Sequence, residues 1–432
     1  MSDPVDGPRG RELWERTDAI IPRGGIYLTR SARFAGRDVL PGFIRSAKGC
    51  RIEDADGRSY LDFNCGNGPN ILGYCHPEVD AAAAEQAGEM DLSAFFPEMM
   101  PLYAEQLLEA VAGFDWTIFT KNGSDSTNLA LRTMRSSTHR PYVILFRDSY
   151  HGFGAEIALH PETPVTGEQR HVVRVPWNDA GALERAVEEL GDRLAGIMVS
   201  PLDQNPSQET REASAEIVAA IHAARERTGC RVALDDVRAG FRMHPKGSHV
   251  AMGLEPDLIC LGKPLANGYS VSAVLGRNEL REGAERIAFT ATYMFSAVAF
   301  RAGIKTLEIY ERDNVFEHMV RMGKRLGEGI VAAGRAHGHE DVVMSGPPTM
   351  PTFLFRDDVK AKRARVFGGH AARLGAIFHP RLNWFLSLAH QPDDIEEAID
   401  IAGRAFALTP LTPPYRRRRG NQRGPTNPSF SR

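Results

Sequence analysis

Two apolar runs that each end abruptly in charge constrain the fold of this chain most. Residues 231–236 end in the pair Asp235 and Asp236, and residues 256–263 end in Lys263. Each run has the length of a buried strand, and the segment between them allows one crossover connection. Such strands favour a doubly wound α/β sheet, in which ligands bind beyond the carboxyl ends of the strands. We therefore expect a carboxylate and an amine to meet at one edge of the sheet.

A carboxylate and an amine in that position match what pyridoxal phosphate requires. An amine partly removed from water loses its proton more readily than a surface lysine does, and it can form a Schiff base with an aldehyde. A carboxylate keeps the pyridine nitrogen protonated, so that the ring can withdraw electrons. A lysine by itself is most often a solvated surface charge. The pairing of Lys263 with Asp235 is what predicts these two residues as the catalytic pair.

The two stretches together resemble the motifs of a known family. Residues 234–242 (Leu-Asp-Asp-Val-Arg-Ala-Gly-Phe-Arg) and 261–269 (Leu-Gly-Lys-Pro-Leu-Ala-Asn-Gly-Tyr) resemble motifs of the class III, or omega, aminotransferases. These are fold-type I pyridoxal phosphate enzymes, and the glutamate-1-semialdehyde aminomutase branch is the most similar. The resemblance covers about residues 20 to 408. It implies a large domain on a mostly parallel, doubly wound, seven-stranded sheet, together with a small α+β domain.

The resemblance also implies the order of the domains along the chain. We expect an N-terminal segment that joins the small domain (1–75), a large cofactor-binding domain (76–310) and a C-terminal small domain (311–410). The basic, Pro- and Gly-rich residues 411–432 are predicted to be a disordered tail.

Three local features are predicted from their own residues. The Asp56-Gly57 pair predicts a tight hairpin turn, and the short apolar run of residues 384–388 predicts a strand. His76, which precedes a proline, is predicted to hydrogen-bond the start of the following helix.

Residues 116–127 predict an anion-binding turn. An apolar strand leads to Gly123, Ser124 and Asp125, which open an apolar-periodic helix, so their backbone N–H groups lie at a helix N-terminus. Any strand-turn-helix with a Ser or Asp cap looks similar. The family has Ser-Gly-Thr-Glu-Ala here and binds the cofactor phosphate with it. The resemblance therefore implies Gly123 and Ser124 as phosphate contacts.

Further cofactor contacts are implied by the resemblance alone. Tyr150 matches the aromatic residue that stacks on the pyridine ring, and His151 follows it. Val237 is expected to pack against the ring, and Asn205 aligns with a family asparagine. Thr292 falls where the family has a threonine that reaches the phosphate from the partner subunit, which implies a homodimer with shared active sites.

Two arginines are candidates for contacts with the substrate. Arg30 follows a Gly-rich opening segment, and Arg381 lies in a loop that resembles one over the substrate in the family; a guanidinium binds carboxylate or phosphate well. The chain also departs from the family in two places. Ser200 replaces a glutamate, and the Gly-Asn-Pro that normally follows the Thr292 region is missing. These departures suggest an unusual substrate.

Composition excludes several other classes of function. The net charge of -3 argues against general attraction to nucleic acid or membranes. No apolar run is long enough to span a bilayer, and the first residues contain no apolar signal region. Five scattered cysteines without metal-type pairs indicate reduced thiols. We expect a cytoplasmic protein with no metal site.

Three functions remain open from the sequence. The first is an aminotransferase that moves an amino group from an amino-acid donor to a carbonyl acceptor, such as an oxo-sugar, a cyclitol or another specialised metabolite. The second is an intramolecular aminomutase or epimerase of the glutamate-1-semialdehyde type. The third is a catalytically silent ligand-binding protein, against which the retention of Lys263 and Asp235 argues. The first two share the same cofactor chemistry, so the motifs do not choose between them.

Overall fold

A computed structural model describes residues 5–22, 39–158, 169–203, 205–356, 358 and 360–411. The helices are α1 (Pro8–Ile20), α2 (Pro77–Glu89), α3 (Met100–Ala110), α4 (Gly123–Thr138), α5 (Ala180–Leu190), α6 (Ala215–Thr228), α7 (Ser248–Met252), α8 (Arg281–Glu285), α9 (Ala297–Arg312), α10 (Val315–Ala336), α11 (Lys362–Leu374) and α12 (Pro392–Leu408). The strands are β1 (Ile44–Lys48), β2 (Arg51–Asp54), β3 (Ser59–Asp62), β4 (Trp116–Thr120), β5 (Tyr142–Phe146), β6 (Val172–Val175), β7 (Leu194–Val199), β8 (Arg231–Asp235), β9 (Leu258–Leu261), β10 (Ser272–Gly276), β11 (Val342–Ser345), β12 (Thr352–Phe355) and β13 (Ala376–Ile377).

A seven-stranded sheet with the order β4-β10-β9-β8-β7-β5-β6 forms the centre of the fold. Strand β10 is antiparallel to both of its neighbours, and the other neighbouring strands are parallel. Strands β7 and β9 are buried along their whole length, because helices cover both faces of a largely parallel sheet. The predicted α/β class with a mostly parallel sheet is confirmed.

A second sheet joins the two ends of the described chain. Its order is β1-β2-β3-β13, and β13 pairs in parallel with β3. The turn between β2 and β3 contains the predicted Asp-Gly pair, and Gly57 has a φ of 86°, which an L side chain rarely adopts. The opening strands thus pair with a strand from the last part of the chain, as expected for a segment that joins the small domain. The domain boundaries themselves stay a prediction.

The central sheet brings the two charged strand ends together. Strands β8 and β9 are parallel neighbours, and Asp235 at the end of β8 pairs with Cys260 in β9. Lys263 follows two residues after the end of β9 and begins a 3-10 helix, Lys263–Ala266. The carboxylate and the amine therefore lie at the same edge of the sheet, as the sequence predicts.

Two local predictions were wrong. His76 makes no side-chain hydrogen bond to the start of α2, and among the described residues its buried Nδ1 has no partner. Residues 384–388 form no strand. Their backbone N–H groups donate to carbonyls in separate segments, such as Trp384 to Pro351 and Phe385 to Phe63. The apolar run at 384–388 reflects burial against the core and not a strand ladder.

In the described part of the chain, no helix combines the length and the apolar character needed to cross a membrane. The same residues contain no cluster of His, Cys, Asp and Glu side chains that could hold a metal ion.

Candidate active site

A cavity of about 430 Å³ opens at the carboxyl ends of β8 and β9. This volume lies in the range of sites for small ligands and cofactors. The predicted site residues that line it are Gly123, Ser124, Tyr150, His151, Asp235, Val237 and Lys263. Residues from four separate stretches of sequence therefore meet in one cavity.

Lys263 is half-buried at the wall of this cavity, and its backbone N–H donates to the Val237 carbonyl at 3.2 Å. Burial lowers the pKa of the amine from 10.5 to about 8. The nearby Asp235 carboxylate opposes this shift, whereas the positive charge of Arg238 adds to it. A much larger fraction of this lysine is therefore neutral near neutral pH than of a surface lysine, as a nucleophilic amine requires.

Asp235 is held in place by two donors. His151 Nδ1 lies 2.7 Å from its Oδ2, and the backbone N–H of Val237 donates to its Oδ1 at 3.2 Å. The short contact favours the tautomer in which Nδ1 carries the proton. The His151 ring is buried, and its Nε2 has no partner among the described residues. The carboxylate is thus oriented at the cavity wall, with an unsatisfied ring nitrogen close by.

The structure separates the roles of the two adjacent aspartates. Asp236 is fully buried and accepts hydrogen bonds from the backbone and the hydroxyl of Ser248, at 2.9 and 2.6 Å. Burial raises the pKa of this carboxyl to about 7. Asp236 therefore fixes the turn after β8 against α7, and Asp235 is the member of the pair that lines the cavity.

The N-terminus of α4 forms another wall of the cavity. The Asn122 side chain caps the helix and accepts from the backbone N–H groups of Ser124 and Asp125, at 3.0 and 3.3 Å. Two of the first helical N–H groups are thus already bonded within the chain. The Gly123 N–H and the Ser124 hydroxyl remain to donate to an anion, and the helix dipole favours negative charge there.

Close contacts require glycine at two positions around this cradle. A Cβ on Gly123 would lie 2.5 Å from Val237 Cγ1. A Cβ on Gly152 would lie 2.5 Å from Ser124 Oγ, and Gly152 also has a φ of 108°. The absence of these side chains lets the loop after β5 and the turn after β8 approach the start of α4.

Tyr150 offers an exposed ring at the same cavity. Its side chain is 44% exposed in a chain without bound ligand, although burial of part of it raises the pKa of the phenol. A planar aromatic side chain that is held at a cavity wall can stack on a planar ligand with little loss of conformational entropy. Val237 provides an apolar contact in the same cavity.

Three other predicted residues of the described chain are not brought into the cavity. Asn205 does not line it, and its Oδ1 accepts from the Ser207 backbone. Thr292 lies on an exposed turn, and Arg381 is half-buried in the loop after β13, where burial lowers the pKa of its guanidinium. Arg30 lies outside the described residues.

Sequence reasoning missed several residues at the cavity. Asn122 is a common N-cap residue directly before a helix, so its role was readable from the sequence. Lys121 and Arg238 also line the cavity, and the contacts of Arg238 with Asp203 and Asn383 lie far from it in sequence, where no local pattern reveals them. Ser200 was noted only as a departure, whereas its hydroxyl is buried at the cavity without a described partner.

Comparison with known proteins gives the family of this chain. The family model for class-III aminotransferases matches residues 34–367. This chain belongs to the class-III aminotransferase family. It is 35% identical to an aminopentol aminotransferase of Sphingopyxis macrogoltabida, over 93% of this chain and 95% of the relative. It is also 29% identical to a glutamate-1-semialdehyde 2,1-aminomutase of Syntrophobacter fumaroxidans, over 92% of this chain and 97% of the relative.

A solved structure supports the same assignment. The FumI protein of Sphingopyxis sp. MTA144, in its pyridoxal phosphate internal aldimine form, has a TM-score of 0.90 and 35% identity. The match covers 93% of this chain and 96% of that one. The aminotransferase described here is therefore a fold-type I enzyme that depends on pyridoxal phosphate, and the predicted family, fold and cofactor are confirmed.

The cavity of this aminotransferase fits that cofactor. The Ser124 hydroxyl and the Gly123 N–H suit its phosphate, the Asp235 carboxylate suits its protonated ring nitrogen, and the neutral fraction of Lys263 suits its aldehyde. When bound, pyridoxal phosphate supplies a ring that withdraws electrons from the substrate carbon. The residues that line the cavity would orient that ring, and the Lys263 amine would lie beside it.

Proposed function

We propose that this enzyme transfers an amino group from an amino-acid donor to the carbonyl group of a specialised metabolite that carries several hydroxyl groups. The observation that carries the proposal is the half-buried Lys263, with a pKa of about 8, beside Asp235 in a ligand-sized cavity. The similarity to an aminopentol aminotransferase supports a polyhydroxylated amine or its carbonyl form as the substrate class.

Each cavity residue has a distinct part in this proposal. Lys263 removes a proton from the substrate carbon and returns one, because a larger fraction of its amine is neutral than in a surface lysine and the amine lies at the cavity wall. Asp235 is oriented by His151, and its carboxylate stabilises the positive charge on the protonated ring nitrogen of the cofactor. Gly123 and Ser124 hold the phosphate and thereby prevent the bound cofactor from rotating.

We further propose that the enzyme is a homodimer whose sites are shared. Two segments support this, since Phe96, which is 68% exposed, packs edge to face against the partly buried Phe295 at 4.9 Å. Phe95 is 82% exposed and Tyr293 is 63% exposed. Exposed apolar clusters of this kind usually form interfaces. Thr292 adjoins Tyr293, so a second copy that covers this surface would bring Thr292 towards a neighbouring site.

A donor screen tests the proposed reaction. The cofactor-loaded enzyme is mixed in turn with L-glutamate, L-glutamine and L-alanine, and both the visible spectrum and the released oxo acid are measured. We expect one donor to convert the bound cofactor to its amino form and to release one molecule of oxo acid for each cofactor converted. The amino-loaded enzyme should then aminate a polyhydroxylated ketone and recover its first spectrum. If no donor releases an oxo acid, transfer between two substrates is excluded.

An aminomutase is the second candidate, because relatives with that name match 92% of the chain. Glutamate-1-semialdehyde distinguishes the two functions. An aminomutase converts it to 5-aminolaevulinate without an added donor, whereas the proposed aminotransferase does not.

The cysteines support a further proposal, that the protein works in the cytoplasm. Four of the five free thiols are buried, which suits a reducing compartment. Fractionation of cells that express the tagged chain checks this location.

A further inference from the structure

Arg238 lies in the turn after β8, three residues beyond Asp235, and lines the same cavity. We propose that Arg238 is the residue that binds the carboxylate of the amino-acid donor. This inference rests on the proposed function, because it assigns the donor side of that reaction to one side chain. Neither the predicted substrate arginines nor the family motifs point to this residue.

The guanidinium of Arg238 is oriented by uncharged acceptors. Its Nη1 donates to Asn383 Oδ1 at 3.1 Å, and its Nη2 donates to the backbone carbonyl of Asp203 at 3.2 Å. The Asn383 amide is itself fixed, since its Nδ2 donates to the Trp384 carbonyl. Two of the five N–H donors of Arg238 are thus used, and the others remain for a ligand.

The positive charge of Arg238 has no ion-pair partner among the residues that the structure describes. The Asp203 carboxylate is taken by Arg211, at 2.8 Å, and by Gln208, also at 2.8 Å. The Asp235 carboxylate is engaged by His151. The Asp235 and Asp203 carboxylates attract Arg238 only from beyond ion-pair distance, so a bound anion would give the guanidinium the direct partner that it lacks. A carboxylate suits it best, because the planar fork can donate two parallel hydrogen bonds.

A nearby arginine in the same motif shows the structural alternative. Arg242 is fully buried, donates to the carbonyls of Leu386 and Gly68 at 2.8 and 2.7 Å, and lies over the Phe385 ring. Its guanidinium joins three segments of the core. Arg238 has fewer partners and faces a cavity, so its position is that of a binding group.

The positions of two other polar residues in the cavity are consistent with a carboxylate bound at Arg238. Lys121 directly precedes the cap of α4, where the phosphate is expected, whereas Arg238 is fixed to Asp203 and Asn383 in other segments. The Ser200 hydroxyl, which is buried at the same cavity and has no described partner, lies three residues before Asp203. It can donate a further hydrogen bond to the same carboxylate.

The first test measures binding without turnover. Propionate and its uncharged counterpart propionamide are titrated into the cofactor-loaded wild type, Arg238→Gln and Arg238→Lys, and binding is followed by calorimetry. We expect the wild type to prefer propionate, Arg238→Gln to lose about 10- to 100-fold in propionate affinity with propionamide unchanged, and Arg238→Lys to lose less. An unchanged propionate affinity in Arg238→Gln would overturn the proposal.

A matched control uses Arg211, the other arginine that donates a hydrogen bond to Asp203. Arg211 is exposed and does not line the cavity. Arg211→Gln should therefore bind propionate as the wild type does. If Arg211→Gln loses as much affinity as Arg238→Gln, the effect comes from disturbance of Asp203, and the assignment of Arg238 is wrong.

A second test uses the reaction itself. L-Alanine and L-alaninamide differ only in the carboxylate, and the rate at which each discharges the cofactor is measured in a single turnover. Arg238→Gln should slow L-alanine much more than L-alaninamide, because loss of the Arg238 charge near Lys263 acts on both substrates whereas loss of carboxylate binding acts on L-alanine alone; equal slowing of both would contradict carboxylate binding. If the wild type reacts with no donor at all, the proposed function fails, whereas the propionate titration still decides the role of Arg238.

Discussion

At the residue scale, the chemistry depends on the protonation of one amine. Lys263 is half-buried, and burial outweighs the attraction of Asp235, so its pKa falls to about 8. A lowered lysine pKa means that the folded state disfavours the charged form. In the protein without cofactor, Lys263 therefore opposes folding while it is charged in both states. This cost disappears as the pH rises from about 8 to the unfolded value of 10.5.

Replacement of this lysine should change the pH dependence of stability. We expect cofactor-free Lys263→Met to be more stable than the wild type at pH 7.5, because the penalty for the buried charge is removed. The advantage should shrink at pH 10, where the wild-type lysine is neutral in the folded state. Urea unfolding at the two pH values measures the difference. Lys324→Met, a change at an exposed lysine on α10, is the control, and a pH-independent advantage of Lys263→Met would contradict the lowered pKa.

At the element scale, the start of α4 and the ends of β8 and β9 form the site. These elements were predictable because their signals are local, namely apolar runs, a glycine turn and a cap. Residues 384–388 were mispredicted because their hydrogen bonds go to distant segments that no local pattern reveals. Arg238 was missed for the same reason. Its significance lies in Asp203 and Asn383, which are far from it in sequence.

The fit between the α4 N-terminus and the β8 turn can be tested with one methyl group. Gly123→Ala would place a Cβ 2.5 Å from Val237 Cγ1, so either the helix or the turn must shift. We expect pyridoxal phosphate affinity to fall about tenfold, because the phosphate donors at the helix start are displaced. Equilibrium dialysis measures the affinity.

The control for this change is a glycine in open space. Gly88 in α2 is exposed, and a Cβ there meets nothing within 4 Å. Gly88→Ala should leave cofactor affinity unchanged and stabilise the protein by about 0.5–1 kcal/mol. Equal cofactor affinity in the wild type and Gly123→Ala would show that the close contact does not shape the phosphate site.

At the scale of the whole molecule, a buried histidine ties the last part of the chain to β3. His390 Nδ1 accepts from the Ser387 backbone at 3.1 Å, and its Nε2 lies 3.2 Å from the Asp62 carbonyl. Its ring stacks on Phe63 at 4.7 Å. Burial lowers the pKa of His390 to about 4, because a charged ring is poorly solvated there.

His390 should therefore contribute to acid sensitivity. Below pH 6.5 the unfolded chain takes up a proton that the folded chain refuses until about pH 4, so stability falls across this range by about 3 kcal/mol. His390→Gln should be less stable at pH 7 but should lose less on acidification. Urea midpoints between pH 7 and 4 measure this loss. Parallel curves for the wild type and His390→Gln, with exposed His337→Gln as the control, would refute this role.

A mixing experiment tests the proposed shared sites. Lys263→Ala lacks the amine, and Thr292→Asp would place a carboxylate against the partner's phosphate, so each variant alone should be inactive. In a mixed dimer, the subunit with Lys263 receives Thr292 from its partner. A refolded equal mixture should therefore recover up to about a quarter of wild-type activity. No recovery, despite mixed dimers on native mass spectrometry, would mean that Thr292 acts within its own subunit, and activity of Thr292→Asp alone would mean that Thr292 has no role.

The central claim is that Lys263 is the amine that carries pyridoxal phosphate. Its most direct test is reduction of the cofactor-loaded enzyme with borohydride, which makes the link between lysine and cofactor permanent, followed by peptide mass spectrometry. We predict the cofactor mass on the peptide that contains Lys263 and its absence in Lys263→Ala. A label on Lys121 or another lysine in the wild type, or no label at all, would contradict the account.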